Sequence, residues 1–153
     1  MNEAQNTKVV AVCHPAAIRD NSAFTTISID TKGFEYCQIL VHIGFSDIAM
    51  MALKVQESDD DGSADAYADI PGLDFDGDTE IDGTAAVLPT ADDDNKVFIF
   101  EIDLRGRERY LDLVATAGDG STGTFLSAIA ILSRAKQVPV TVAGRGAGGV
   151  LRA

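Results

Sequence analysis

Apolar and polar residues alternate through most of the regular stretches of this chain. In Val97–Leu104 (VFIFEIDL), Phe98, Phe100, Ile102 and Leu104 share one face, and Val97, Ile99, Glu101 and Asp103 share the other. In the run that starts at Tyr110, Leu111, Leu113 and Ala115 alternate with Tyr110, Asp112, Val114 and Thr116. A period of two is that of a half-buried strand, because successive side chains leave a pleated backbone on opposite sides. Between the two runs stands Arg105-Gly106-Arg107-Glu108-Arg109. Glycine admits positive φ there, and the arginines hold the turn in water. The pattern predicts a hairpin at the centre of a β-sheet.

The same alternation recurs on both sides. Lys8–His14 is a short β-rich run stopped by Pro15, after a polar segment 1–7 expected to be flexible. Pro15–Ser22 reads as a turn with one helical turn. Phe24–Asp30 alternates, and Thr31-Lys32-Gly33 predicts a hairpin into Phe34–Phe45. There Cys37, Ile39, Val41, Ile43 and Phe45 oppose Tyr36, Gln38, Leu40, His42 and Gly44. Met50–Glu57 predicts a strand with Met51, Leu53 and Val55 inward. Ala64–Ile70 and Thr84–Leu88 predict shorter strands, set among turns at Asp59–Gly62, Pro71-Gly72 and Asp76-Gly77. The glycine-rich turn Gly118–Gly123 leads to a last strong strand, Phe125–Ser133. Val138–Val142 (VPVTV) is strand-like and precedes a glycine-rich end. No helical run exceeds about ten residues, close to the mean helix length. Short strands with Gly- and Asp-rich turns predict an all-β fold, a β-sandwich or jelly-roll-like single domain over residues 8–136. A C-terminal arm, 137–153, follows it.

Charge changes this picture in one place. The chain carries 24 acidic and 12 basic residues, a net −12. The segment Glu57–Asp94 holds 14 of the acids and no base, so the remainder is close to neutral. An acidic insert, 57–94, mounted on a neutral body repels nucleic acid and anionic membranes and attracts cations or basic protein surfaces. Such runs most often serve as solvated loops. From Arg134 onward the balance reverses, with Arg134, Lys136, Arg145 and Arg152 and no acid. No apolar run approaches the ~20 residues of a membrane helix, and the N-terminus shows no cationic segment followed by a long apolar one. Cys13 and Cys37 are therefore expected as free, buried thiols.

Candidate chemistry is sparse. Asp74, Asp76, Asp78, Glu80 and Asp82 alternate along LDFDGDTEIDG, and hard oxygen ligands at that density suit Ca²⁺. The EF-hand pattern fails, since its glycine and final glutamate positions fall on Thr79 and Ala85. There is no G-x-S-x-G elbow, and Cys13 and His14 would point to opposite faces of a strand. Gly118–Gly123 lacks the Lys-Ser/Thr ending of a phosphate loop, and nothing long enough for a helix follows Gly144–Gly149. A zinc site needs more His and Cys than two of each. Neither an enzyme nor a cofactor is expected.

The run LRGRERYLDLVATAGDGSTG, followed by FLSAIAILSRAKQVPV, resembles small β-proteins encoded beside the major coat protein of tailed bacteriophages, the head decoration or cement proteins. The likeness spans roughly residues 39–140 and rests on overall pattern. It implies a sandwich or jelly-roll protein, made in the host cytoplasm, that sits on the virion surface as an oligomer, often a homotrimer, and stabilises the shell. Its partners would be the major capsid protein and itself. The expected contact elements are Arg105, Arg107 and Arg109 with Val138, Val140, Val142 and Arg145 of the arm, in which Val138–Val142 is suited to add a strand to an edge either of its own domain or of a neighbour. The acidic insert and glycine-rich tail have no counterpart in that pattern. The alternative is a non-catalytic binding module for a glycan or Ca²⁺.

Overall fold

The computed structural model describes residues 3–153. Eight strands form two antiparallel four-stranded sheets: β1 (Lys8–Cys13), β2 (Ile29–Asp30), β3 (Tyr36–Ser46), β4 (Ala52–Ser58), β5 (Ala68–Asp74), β6 (Val97–Asp103), β7 (Tyr110–Thr116) and β8 (Thr124–Ser133). Sheet I runs β1-β8-β3-β6 and sheet II runs β2-β7-β4-β5. Thus β1 pairs with β8, β2 with β7, β3 with β6 and β4 with β5. This is a long double ribbon doubled back at the β4–β5 turn and rolled into two layers, the jelly-roll arrangement.

The alternation read from the sequence decides which side of each strand is buried. Sheet I turns Val12, Cys37, Ile39, Val41, Ile43, Phe100, Ile102, Leu126, Ala128, Ala130 and Leu132 inward. Sheet II meets them with Ile29, Leu53, Val55, Ile70, Leu111, Leu113 and Ala115. Cys13 and Cys37 are buried and unlinked, and burial pushes the Cys37 thiol up to about 12. A neutral thiol in an apolar core behaves as a small hydrophobe.

Several local expectations change. β6 and β7 do not form a hairpin: they belong to different sheets, and Leu104–Arg109 carries the chain from one layer to the other. β6 is an edge strand and not the sheet centre. Thr31–Gly33 is likewise a crossing between layers, since β2 lies in sheet II and β3 in sheet I. Alternation reports which face is buried, and it is blind to which strand is the neighbour. Leu53 and Val55 of β4 point inward as expected, but Met51 is half exposed and Met50 is buried in its place, because β4 starts only at Ala52. β5 runs through Pro71-Gly72, read above as a turn. Lys54 pairs with Asp74 and Gln56 with Asp69, so the proline lies in a bulge on an edge strand, where a missing N–H costs no ladder bond. Thr84–Leu88 forms no strand, and only Ala85 makes a single bridge, to Thr79. Val138–Val142 is not in a sheet either. Val140 donates to the Gln5 carbonyl, Arg145 reaches the Ala4 carbonyl, and Gly146 packs on the Val9 carbonyl, so this part of the tail lies along β1. Of the segment 1–7, Glu3–Asn6 form one 3-10 turn, and residues 1 and 2 lie outside the described residues.

Leu113 is fully enclosed between the layers. Leu113→Ala should therefore cost about 3 kcal/mol, the usual transfer and cavity loss for a closed core site. It should be read as a lower urea midpoint with an unchanged slope. Both thiols should resist a thiol reagent in the native protein and react once it is unfolded.

Candidate functional site: an apolar sheet face and an acidic groove

At one end of the sandwich the β2–β3, β4–β5 and β6–β7 connections meet, and the three turn arginines are spent there. Arg109 grips both Asp30 oxygens at 2.9 and 2.7 Å, Arg107 meets Glu57 at 3.0 Å, and Arg105 folds back on Asp103. Glu57 also accepts the Glu108 N–H at 3.0 Å. The bonds to Asp30 and Glu57 tie the crossing turn to sheet II, and the Asp103 bond holds Arg105 to β6 of sheet I. The partnered guanidinium holds the Asp30 carboxyl below its ordinary range. Exposed pairs of this kind add little to stability and much to geometry.

The acidic insert does not form one surface. Its β4–β5 part, Asp59–Tyr67, belongs to the arginine end, whereas residues 75–96 make a long excursion between β5 and β6. Most of its carboxylates cap backbone. Asp60 accepts the N–H groups of Ser63, Ala64 and Asp65 at 3.0, 2.7 and 3.1 Å. Among the proposed calcium ligands, Asp74 accepts from the Asp76 N–H at 2.8 Å, Asp78 from the Asp74 N–H at 2.9 Å and Asp82 from the Thr84 N–H at 2.9 Å. The alternating acids are thus spread along turns. Among the described residues, only Asp59, Asp65 and Glu108 bring three carboxylate oxygens within 4.8 Å of one another. Burial, then repulsion from Asp65, Asp59 and Glu57, raises the Glu108 carboxyl. Glu108 was read above only as part of a charged turn. Its role depends on a contact between loops that are distant in sequence.

A larger feature comes from positions that the alternation assigns to the outer face. Across sheet I, Ala11, Ile129, Leu40 and Ile99 stand in register on adjacent strands and form one apolar row. In the next row His42 lies between Val97 and Ser127. Val97, Ile99 and Ile129 are 50%, 46% and 41% exposed. A hollow of about 260 Å³ opens among Leu40, His42, Val97 and Ile129. The signal was present in the sequence, since VFIF is apolar on both faces of its strand.

Next to this face, a groove of about 610 Å³ runs between β6 and the 75–86 part of the excursion. Phe75 stands edge-on to Phe98 and Phe100, with ring centres 5.3 and 5.1 Å away, and closes the side of the sandwich beneath it. Ile81 projects almost wholly into solvent at its rim. Asp74, Asp78, Glu80 and Glu101 line it, and its one base, Lys96, is paired with Asp93 at 2.8 Å. The expected ligands Asp74, Asp78 and Glu80 therefore share the groove, while Asp76 and Asp82 are not part of its lining. Val138 and Val142 are exposed, Val140 is half-buried, and Arg145 is tied to the N-terminal turn. No helix among the described residues is long and apolar enough to cross a membrane. No protein-family model, curated protein or solved structure matches the chain.

The raised Glu108 carboxyl has a defined sign in linkage. A carboxyl raised on folding destabilises the fold while it is ionised, and that penalty disappears as pH falls through the folded value toward the unfolded one. Glu108→Gln should therefore raise the melting temperature at neutral pH and low salt. The gain should shrink near pH 4, about where free carboxyls protonate, and in high salt. Thermal melts over pH and salt check it, and a loss of stability at neutral pH would contradict the repulsion described.

Proposed function

We propose that the protein is a structural virion component that binds the outer surface of a phage capsid and stabilises it through protein–protein contacts. The observation that carries this reading is the apolar row across the outer face of sheet I. Contiguous exposed apolar surface on a folded body marks an interaction site, and a β-sheet face offers a rigid, flat one. The jelly roll is used by shell proteins as well as by lectins and cupins, so the fold alone is an analogy. The sequence resemblance to head decoration proteins selects among these uses.

In this reading the major capsid protein sits against Leu40, Val97, Ile99 and Ile129. The tail valines Val138 and Val142 provide further contact, and several copies, in a homotrimer, surround each attachment point. Linked contacts multiply avidity, so individually weak patches suffice. The turn arginines act within the protomer, fixing the loops at its far end. The protein's work is mechanical and requires no turnover.

Quantitative mass spectrometry of purified particles from the source should find this chain in numbers comparable to the coat protein. Leu40→Glu with Ile129→Glu should lower occupancy about tenfold or more, because charge is buried at the interface. The melting temperature should change little, since both sites face outward. A copy number near zero would discard the shell role.

A further inference from the structure

The groove beside β6 also borders the one sheet-I edge to which nothing among the described residues is attached. β6 pairs with β3 on one side only. Ile43 donates to the Lys96 carbonyl and Leu104 donates to the Glu35 carbonyl, which fixes the phase of the ladder. Bonds between antiparallel strands alternate, so Phe98, Phe100 and Ile102 face β3. Val97, Ile99, Glu101 and Asp103 turn their N–H and C=O groups to the open edge. An open edge flanked by an apolar groove is the geometry that accepts an added strand.

The chain itself carries a segment of matching chemistry. After Gly146 the chain reads Ala147-Gly148-Gly149-Val150-Leu151-Arg152-Ala153. Leu151 is completely exposed, and the only charged side chain of the segment is Arg152. The groove offers an aromatic floor at Phe75, Phe98 and Phe100 and a surplus of carboxylates at Asp78, Glu80 and Glu101. Apolar group meets apolar floor, and cation meets acidic rim. The tail leaves the body along β1, and the groove lies along β6, the opposite edge of the same sheet. Donor and acceptor thus sit on opposite flanks, the arrangement of a heterologous contact that closes into rings or extends into chains.

We infer that the β6 groove receives residues 147–153 of a second copy of this chain as an added edge strand. Leu151 occupies the apolar floor and Arg152 faces Glu80 and Glu101. The inference concerns the protein in solution and does not rest on its having a capsid partner.

Sedimentation velocity on the full-length protein over a range of concentrations tests it. The wild type should self-associate. Arg152→Glu, and separately Glu80→Lys with Glu101→Lys, should each weaken association by about tenfold. All three changes combined in one chain should restore it. A 1:1 mixture of the tail variant and the groove variant should form a dimer, since one keeps an intact groove and the other an intact tail. A labelled peptide of residues 147–153 should bind the Arg152→Glu protein and bind the groove variant about tenfold more weakly. Equal melting temperatures would show that the variants are folded. A wild type that is monomeric at every concentration, association indifferent to both charge reversals, or a chain whose own tail shields the groove from the peptide would each overturn the assignment.

Discussion

The structure depends on the mutual burial of two sheet faces. No helix shares the core, so every inward residue of sheet I must find its apolar partners on sheet II. Ile39, Val41, Ile43, Leu126 and Leu132 on one side, and Leu53, Val55, Leu111 and Leu113 on the other, are withdrawn from water together. Sandwich layers lie about 10 Å apart, which leaves room for one interdigitated set of side chains. Alanines at 115, 128 and 130 sit among the larger groups, as such packing requires. The loops, the charged turns and the tail are arranged around this slab.

Charge in this molecule works mainly at short range, on backbone. Asp60 organises the β4–β5 turn, Asp74, Asp78 and Asp82 shape the excursion, and Asp47 holds the glycine turn through the Ser121 and Thr122 N–H groups. A carboxylate that accepts several N–H groups prefers to be ionised, and the Asp60 and Asp47 carboxyls are accordingly held below their ordinary range. Many of the acids that give the chain its large negative charge are therefore structural parts of turns. The apolar row on sheet I is different in kind, because the protomer makes no use of it.

Much of the architecture was legible from alternation. Six of the eight strands, β1, β3, β4, β6, β7 and β8, follow runs visible in the sequence, the two-face split of β3, β6 and β7 holds, and Leu53 and Val55 of β4 point inward as expected. Strand pairing was not legible. A turn such as Arg105–Arg109 looks the same whether it returns within a sheet or crosses to another, and the choice depends on bonds to Asp30 and Glu57, distant in the chain. Pro71-Gly72 carried a turn signal that the edge of a sheet absorbed as a bulge. The alternating acids suggest Ca²⁺ by their density, and which of them share a groove, Asp74, Asp78 and Glu80, is set by the fold of the excursion. The apolar row was concealed because each strand contributes only one or two members to it.

The position of β8 has a consequence for how the protein is made. The last strand to be synthesised lies between β1, the first, and β3, and hydrogen-bonds to both. Until it leaves the ribosome, β1 has no neighbour in its sheet, and β3 presents an unsatisfied edge. Sheet I cannot assemble progressively from the N-terminus. Completion of sheet I must wait for β8 and then bring together β1 and β8, strands far apart in sequence, a slow step by the rule that distant contacts fold late. For that interval the inner faces of β1 and β3 are exposed, and a nascent or truncated chain is more prone to aggregate than the finished protein.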